Sequence, residues 1–287
     1  MALKLMYITN RPEVALIAER SGVDRVFVDM EYIGKDERQG KLDSVKNRHT
    51  VEDVERIRQV ITKSDLLVRV NPIHNAAGDH CSSEDEIEAV IKAGADIVML
   101  PFFKTATEAE RFLSAVGGRS RTMLLLETPE AVDALDDILA LKGIDEIHIG
   151  INDLSIGYGK SFMFELLTDG TVERLCRKLQ AAGKTYGFGG IARLGCGLVP
   201  AELIIREHYR LGSQIAILSR SFCNLDKIDD INAVEECFVR GIREIRTLEE
   251  ECAFHARFFE ENRIELCAAV AAAVSGAYRK EEQTCIS

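Results

Sequence analysis

Eight times along roughly the first 220 residues, a short apolar run is followed by an amphipathic stretch, and this alternation limits the possible fold more than any other feature. The apolar runs are nearly continuous, as expected for parallel strands covered on both faces. Eight strand–helix units in succession are typical of a (β/α)8 TIM barrel. A doubly wound open sheet is the alternative, but it does not require eight units. The predicted strands are Leu3–Thr9, Arg25–Glu31, Leu66–Val70, Asp96–Phe102, Thr122–Glu127, Glu146–Ile151, Thr185–Gly190 and Gln214–Ser219.

The segments between these strands carry helical periodicity and helix-boundary signals. Apolar side chains recur at helical spacing in Val51–Thr62 and in Glu84–Lys92. The glycine of Ala-Gly-Ala-Asp (93–96) is placed to end the second helix before the next strand. Thr128-Pro129-Glu130 combines an N-cap residue, a proline at the first helical position and an acidic first turn. These signals support the alternation and predict where several helices begin or end.

The length of 287 residues suits one large barrel with a helical addition. We predict a catalytic barrel over residues 1–225 and a C-terminal helical extension over residues 226–287. Mostly apolar side chains, spaced three and four apart from position 231 to position 259, indicate a long helical face that needs a packing partner. Either the barrel of the same chain or a second subunit could cover that face.

Charge, hydropathy and cysteine usage exclude several classes of protein. The chain has 36 Lys and Arg against 47 Asp and Glu, a formal net charge of −11, so we expect no nucleic-acid partner. No apolar run approaches the roughly 20 residues of a membrane span, and the N-terminus lacks the features of a signal peptide. Eight scattered cysteines without a C-x-x-C pair indicate reduced thiols rather than a disulfide framework or a zinc site. We therefore expect a cytoplasmic enzyme or binding protein.

Two acidic residues follow neighbouring predicted strands. Glu127 ends the run Met-Leu-Leu-Leu-Glu, and Asp153 follows Ile-His-Ile-Gly-Ile-Asn. Carboxylates on adjacent strand ends can share a hard divalent cation, whose remaining positions are filled by water and substrate oxygens. The alternative is that Glu127 is a polar strand-end residue and that Asp153 is a turn or cap residue. The metal interpretation is favoured because the sequence places no basic residue near either acid.

Arg69 interrupts the apolar run Leu-Leu-Val-Arg-Val-Asn-Pro. A guanidinium in that position is costly unless it meets an anion, and its fork geometry suits a carboxylate or an enolate oxygen. Asp29 and Glu31 lie two residues apart on the preceding strand and share one face. They could bind metal-bound water or transfer protons. Alternatively, they could hold Arg69 in place, and the two roles are compatible.

The remaining candidates carry weaker signals. Tyr-Gly-Phe-Gly-Gly-Ile-Ala-Arg (186–193) is not a dinucleotide fingerprint, because the next predicted helix begins only near Pro200; close packing is the preferred interpretation. Lys104 is the only fair candidate for a Schiff base, and no cysteine has a visible partner. The histidines show no zinc-binding spacing. His74 and His80 follow the third strand, where they could face the site, whereas His148 and His255 are expected to be packed.

Five motifs, in order, resemble the HpcH/HpaI aldolase and citrate lyase β-subunit family, a branch of the phosphoenolpyruvate/pyruvate-binding barrels. The resemblance covers about residues 20–220. The motifs are Val-Phe-Val-Asp-Met-Glu (26–31), Val-Arg-Val-Asn-Pro (68–72), Ala-Gly-Ala-Asp-Ile-Val-Met-Leu-Pro (93–101), Leu-Leu-Glu-Thr-Pro-Glu-Ala-Val (125–132) and Ile-Gly-Ile-Asn-Asp-Leu-Ser-Ile-Gly-Tyr-Gly (149–159).

The resemblance implies an oligomeric (β/α)8 barrel that reversibly cleaves a C–C bond in an aldol-type reaction assisted by Mg²⁺ or Mn²⁺. Glu127 and Asp153 fall on the family's metal ligands, and Arg69 falls on its enolate-stabilising arginine. Backbone N–H groups around Gly150, Asn152 and Asp153 would bind the substrate carboxylate. The implied partners are a small anionic carboxylate substrate, as the free 2-oxo or hydroxy acid or as its CoA thioester, and a second copy of the chain.

Two departures from the family pattern leave the substrate open. Tyr32 stands where the 2-oxo acid aldolases have a histidine base, and the I-H-P motif of the citrate lyase branch is missing from the stretch Gly-Ile-Ala-Arg-Leu-Gly-Cys-Gly. The primary hypothesis is a metal-dependent lyase. Because of Tyr32, a barrel that binds a carboxylate metabolite without turnover is a second hypothesis. A third is a sugar-phosphate barrel enzyme that uses the loop Gly187–Gly190.

Overall fold

The computed structural model describes residues 2–34, 48–78, 80–254 and 258–276. Eight strands form one closed barrel in which each strand neighbours the next in sequence order. This confirms the predicted (β/α)8 barrel and removes the open-sheet alternative. The strands are β1 (Lys4–Ile8), β2 (Arg25–Asp29), β3 (Asp65–Arg69), β4 (Ile97–Leu100), β5 (Arg121–Leu126), β6 (Glu146–Ile149), β7 (Thr185–Ile191) and β8 (Ile215–Leu218).

All eight predicted strands exist, but their boundaries differ by up to two residues. Most observed strands are shorter than predicted, because hydrogen-bonded pairing stops before the apolar run does. The difference matters most at β2, which ends at Asp29, so the prediction that Glu31 lies on this strand is wrong. The extended path nevertheless continues for one more ladder bond, since the N–H of Met30 donates to the carbonyl of Arg69.

The described helices alternate with the strands and follow the barrel at its C-terminal end. They are α1 (Pro12–Ser21), α2 (Val51–Arg58), α3 (Ser83–Lys92), α4 (Ala106–Val116), α5 (Pro129–Asp133), α6 (Leu135–Leu139), α7 (Ile151–Gly157), α8 (Glu165–Thr168), α9 (Thr171–Ala181), α10 (Ala201–Arg210), α11 (Ile231–Phe254) and α12 (Phe258–Val274).

Side-chain caps explain where several of these helices begin. Thr50 and Thr105 form capping boxes at the starts of α2 and α4, and Thr128 caps α5 ahead of Pro129, as predicted. The predicted helix over 51–62 is too long, because α2 ends at Arg58. The predicted strand Glu146–Ile151 is too long, since α7 begins at Ile151 directly after β6, and α8 follows it.

The described chain groups into two compact units, one of residues 7–20 and 24–148 and the other of residues 1–6, 21–23 and 149–287. The first contains β2 to β5 in parallel register, with Arg25 opposite Asp65 and Asp29 opposite Arg69. The second contains β7 and β8, where Gly187 allows close contact: a Cβ at this position would lie 2.1 Å from the carbonyl oxygen of Ile215. The predicted division at residue 225 stays a prediction.

The described residues 231–254 and 258–274 are helical, as the spacing predicts. The helix α11 runs without interruption for 24 residues and α12 for 17. The two helices pack against α10 within the second unit. His255 lies outside the described residues, so its predicted packed role stays a prediction. None of the described helices is long and apolar enough to cross a membrane.

Candidate functional site

Arg69 is the centre of a charged cluster at the carboxyl ends of β2 and β3. Its Nε and Nη2 donate to the two carboxylate oxygens of Asp29, at 2.7 and 2.8 Å. Its Nη1 lies 3.3 Å from Oε2 of Glu31. Asp29 and Glu31 therefore hold Arg69 in place, which was one of the two roles that the sequence allowed for these acids. Within the described residues, three of the five N–H donors of the guanidinium are directed at these two carboxylates.

The cluster is nearly closed to solvent. The exposed fraction of the side chain is 14% for Arg69, 1% for Asp29 and 3% for Glu31. Burial alone would lower the pKa of Arg69, but the charges of Asp29, Glu31 and Glu127 and the hydrogen bonds to Asp29 outweigh it and raise that pKa well above its usual range. The guanidinium is therefore a permanent cation fixed in orientation by a bidentate carboxylate.

Glu127 lies just past the end of β5 and is buried, with 3% of its surface exposed. One of its oxygens, Oε1, accepts a hydrogen bond of 2.9 Å from the backbone N–H of Phe102, which follows β4. Phe102 has a φ of 46°, in the left-handed region that non-glycine residues rarely adopt. The charge of Glu127 also raises the pKa of Arg69, an influence between β5 and β3 that the sequence argument about nearby basic residues did not include.

Tyr32 and His80 meet at the rim beside this cluster. The phenol oxygen of Tyr32 lies 2.8 Å from Nδ1 of His80. The Tyr32 backbone N–H donates to Oδ1 of Asn71, two residues past Arg69, and Asn71 is in turn held by the buried Glu86. Burial and the charges of Glu86 and Cys81 raise the pKa of Tyr32, so its phenol stays protonated at neutral pH. Sequence reasoning placed His80 near the site but did not foresee its bond to Tyr32.

Gly150, Asn152 and Asp153 belong to the second compact unit. Gly150 is the N-cap of α7, and Asn152 and Asp153 lie in its first turn. First-turn N–H groups have no acceptor within the helix, so this turn presents backbone donors of the kind predicted for a carboxylate. Asp153 is half-buried and Asn152 is exposed.

Other sequence candidates have structural roles in the described residues. His74 is tied into its loop by Ser83 and by the carbonyl of Cys81, and His148 is buried within β6. Lys104 is paired with Glu130 at 2.9 Å and is largely exposed. The glycines of β7 pack closely, since a Cβ on Gly189 would lie 2.7 Å from the side chain of Ile151, which confirms the packing interpretation of this motif.

A second charged cluster lies at the opposite, amino ends of β2, β3, β5 and β6. Arg25 is fully buried and makes two bonds to Glu146, of 2.6 and 2.7 Å. Its register partner Asp65 lies 3.8 Å from its Nε and 2.6 Å from Arg121. Two cations and two carboxylates are thus joined here, and they link four strands.

The donor chemistry of the carboxyl-end cluster suits a hard divalent cation. Asp29 and Glu31 contact the guanidinium of Arg69, the charge of Glu127 also acts on it, and carboxylate oxygens are the ligands that Mg²⁺ and Mn²⁺ prefer. No group of three or more His, Cys, Asp or Glu side chains arranged to hold a metal is found among the described residues. A bound cation would therefore rely on few protein ligands and take its remaining oxygens from water and substrate, as Mg²⁺ commonly does.

Comparison with known proteins identifies relatives of this chain. The sequence model of the HpcH/HpaI aldolase/citrate lyase family matches residues 4–185, more than half of the chain. A 2-keto-3-deoxy-L-rhamnonate aldolase from Escherichia coli O6:K15:H31 (strain 536 / UPEC) is 25% identical over 211 residues, which cover 62% of this chain and 71% of the relative.

Two solved structures share the fold. An HpcH/HpaI aldolase from Desulfitobacterium hafniense DCB-2 has a TM-score of 0.56 and 16% identity, covering 85% of this chain and 93% of that one. The citrate synthase SbnG has a TM-score of 0.55 and 18% identity, covering 76% of this chain and 86% of that one.

Proposed function

Because this chain belongs to the HpcH/HpaI aldolase/citrate lyase family, we propose that it is a divalent-metal-dependent carbon–carbon lyase of the aldolase type. Its substrate would be a small 2-oxo or hydroxy carboxylic acid, or the CoA thioester of such an acid. The observation that carries the proposal is the carboxyl-end cluster, in which an oriented guanidinium and three carboxylates lie on the face where barrel enzymes place their chemistry. The aldolase activity in the name of the Escherichia coli relative supports the same reaction class.

Arg69 is assigned to the oxygen that gains charge during cleavage. When the C–C bond breaks, its electron pair moves toward the 2-oxo group and forms an enolate. Two N–H donors of Arg69 are left by the described contacts with Asp29 and Glu31, and they are available to that oxygen. Because Asp29 fixes the guanidinium before substrate arrives, little reorganisation is needed during the reaction.

Glu127 and Asp153 are proposed to hold Mg²⁺ or Mn²⁺. This pairing rests on their places after β5 and β6 and on the family resemblance. When bound, such a cation supplies Lewis-acid polarisation of the 2-oxo acid. The N–H of Phe102 orients Glu127 from behind, and the backbone around Gly150 and Asn152 would bind the substrate carboxylate.

The proton of the substrate hydroxyl needs an acceptor, and the bonded pair of Tyr32 and His80 is the candidate that adjoins the cluster. Asp29 and Glu31 are the other candidates for proton transfer, although both also hold Arg69.

Tyr32 also supports a second candidate function, a barrel that binds a carboxylate metabolite without turnover. The close packing of Gly187 and Gly189 gives no support to a sugar-phosphate site in that loop.

A substrate panel tests the proposal. Release of pyruvate, acetyl-CoA or glyoxylate would be measured over 2-oxo acids, hydroxy acids and acyl-CoA thioesters, with Mg²⁺, with Mn²⁺ and after chelation. We expect turnover of at least one member that disappears on chelation and in Glu127→Gln, while the exposed control Glu130→Gln retains it. If no member of the panel is turned over, or if Glu127→Gln leaves the activity unchanged, the proposal is contradicted. Thermal stabilisation by oxaloacetate and metal without product would favour the binding function.

We also propose that the chain forms a homo-oligomer, which analytical ultracentrifugation would test.

A further inference from the structure

Three cysteines and one arginine from distant parts of the sequence meet in the second compact unit. Cys196 follows β7, Cys223 follows β8 and Cys237 lies in the second turn of α11. All three thiols are buried, with exposed fractions of 7%, 2% and 7%. Arg193, half-buried in the same loop as Cys196, contacts the Sγ of Cys196 at 3.8 Å and also hydrogen bonds to Cys237.

Local packing brings Cys237 beside Cys223. The Sγ of Cys237 donates to the carbonyl oxygen of Phe222 at 3.2 Å, and that carbonyl is joined directly to the nitrogen of Cys223. The Phe222 ring is fixed against α11 by Phe238, with ring centroids 5.4 Å apart, and by Gly241, where a Cβ would lie 2.7 Å from the ring. The two thiols are in side-chain hydrogen-bond contact.

We propose that Cys237 is a peroxide-sensitive thiol that forms a reversible disulfide with Cys223. Most buried cysteines are inert, because reactivity requires a thiolate and burial disfavours charge. Cys237 differs because its thiolate, although it gives up the bond to the Phe222 carbonyl, accepts a hydrogen bond from Cys223 and faces the guanidinium of Arg193, with Arg240 contributing from its own helix. These interactions outweigh burial and lower the pKa of the Cys237 thiol to about 7.

The oxidant is a hydroperoxide, and the step balances with hydrogen peroxide. The Cys237 thiolate attacks one peroxide oxygen, the O–O bond breaks, and one water leaves after taking up a proton, giving a sulfenic acid at Cys237. The Cys223 thiol then attacks that sulfur, the S–O bond breaks, and a second water leaves with the thiol proton. The two sulfurs together lose two electrons, and the peroxide is reduced to two waters.

The same helix offers a matched control. Cys252 also lies on α11 and is equally buried, with 6% exposed. There burial prevails over Arg206, and the pKa of the thiol is raised. The test oxidises the full-length protein with hydrogen peroxide at pH 7.5, blocks remaining thiols with an alkylating agent and maps the peptides by mass spectrometry.

We expect Cys237 to lose its free thiol at least tenfold faster than Cys252. A Cys223–Cys237 cross-linked peptide should appear and disappear after treatment with a dithiol reductant. In Cys223→Ser the reaction should stop at a sulfenic acid on Cys237 that dimedone traps. Arg193→Met should slow oxidation severalfold, and Arg193→Lys should restore most of the rate.

Equal rates at Cys237 and Cys252 would overturn the proposal, as would a cross-link of Cys237 mainly to Cys196. The wild-type peptide map decides between these outcomes even if a substituted chain does not fold. The readout needs no substrate and is therefore independent of the proposed lyase activity.

Discussion

The two ends of strands β2 and β3 carry the same kinds of residue in opposite order. At the amino end Arg25 stands opposite Asp65, and at the carboxyl end Asp29 stands opposite Arg69. At the amino end, the described contacts join two cations, Arg25 and Arg121, to two carboxylates, and Arg25 is completely buried. At the carboxyl end, one guanidinium contacts two carboxylates, and the charge of a third, Glu127, also raises its pKa.

This difference separates a structural ion-pair network from a candidate site. A charge-balanced network links strands and needs nothing further, whereas an excess of carboxylates around one guanidinium favours an added cation and an anionic ligand. Residue types alone do not make this distinction, because both clusters are built from Arg, Asp and Glu. The balance of charge makes it.

Breaking the amino-end network should have the largest effect. Arg25→Met leaves Glu146 buried without its bidentate partner, and we expect the free energy of unfolding to fall by about 3–5 kcal/mol. Urea unfolding followed by circular dichroism measures the loss, with Arg11→Met, at an exposed pair with Glu13, as the control. A loss below about 1 kcal/mol would mean that the network contributes little.

The corresponding change at the carboxyl end should affect catalysis more than stability. With the substrate identified by the panel, we expect Arg69→Met to lower kcat/KM roughly 100-fold or more, because the donors to the developing enolate oxygen are lost. The free energy of unfolding should fall less than in Arg25→Met, since the Arg69 side chain keeps 14% of its surface exposed whereas Arg25 is completely buried. Steady-state kinetics and urea unfolding measured on the same preparations test both statements. A kcat/KM within threefold of wild type would remove Arg69 from the mechanism.

Two carboxylates that hold the opposite ends of β3 should respond to pH with opposite signs. Glu19 accepts backbone N–H bonds from Thr62, Lys63 and Ser64, and although burial alone would raise its pKa, these bonds lower it. Its contribution to stability is present above the ordinary carboxyl pKa and is lost as pH falls through the lowered value. We expect Glu19→Gln to cost about 1–2 kcal/mol at pH 7 and progressively less toward pH 3.

Glu86 shows the reverse. Burial raises its pKa despite its hydrogen bonds with Asn71, so its contribution is fully present below the ordinary carboxyl pKa and is lost as pH rises through the raised value. Glu86→Gln should therefore match wild type at low pH and become relatively more stable toward neutral pH. Urea titrations of both variants from pH 3 to pH 8 test the pair of signs. Parallel pH profiles would show that the two ends of β3 do not differ in this respect.

The smallest effect is expected at Lys104, beside the carboxyl-end cluster. It pairs with Glu130 on the surface, so Lys104→Met should change stability by no more than about 0.5 kcal/mol and turnover by less than about twofold. Borohydride reduction in the presence of a 2-oxo acid is the accompanying measurement and should leave no adduct. Loss of turnover together with an adduct on Lys104 would replace the metal-enolate mechanism with Schiff-base chemistry.

The fold was largely predictable because each apolar run is an independent local signal. The grouping of Arg69 with Asp29 and Glu31 was also predictable, since neighbouring parallel strands place these positions together. The residue at which a strand ends is harder to predict: Glu31 lies past the last residue of β2, and α7 begins at Ile151, which was predicted to end a strand. Pairing with β3 ends β2, and the bond from the Leu154 N–H to the Gly150 carbonyl begins α7, so neither boundary follows from the apolar pattern alone.

Contacts between distant segments were not predictable. The donor to Glu127 is the backbone N–H of Phe102, and a backbone donor cannot be predicted from the residue type. The bond of Tyr32 to His80 joins two loops, and the thiol cluster draws on two loops and a helix. No motif spacing relates such positions, so composition indicated ordinary reduced thiols throughout.

At Phe102, selection for stability and selection for catalysis are expected to favour different residues. Its left-handed backbone costs on the order of 1–2 kcal/mol that a glycine would not pay, yet its N–H orients Glu127. Under selection for heat resistance alone, a mutant library should enrich glycine at this position. Under selection for turnover, phenylalanine should persist if its ring is needed to keep the N–H in place. Sequencing the survivors of the two selections would show whether the strain at this position is an adaptation for catalysis or an accident of descent.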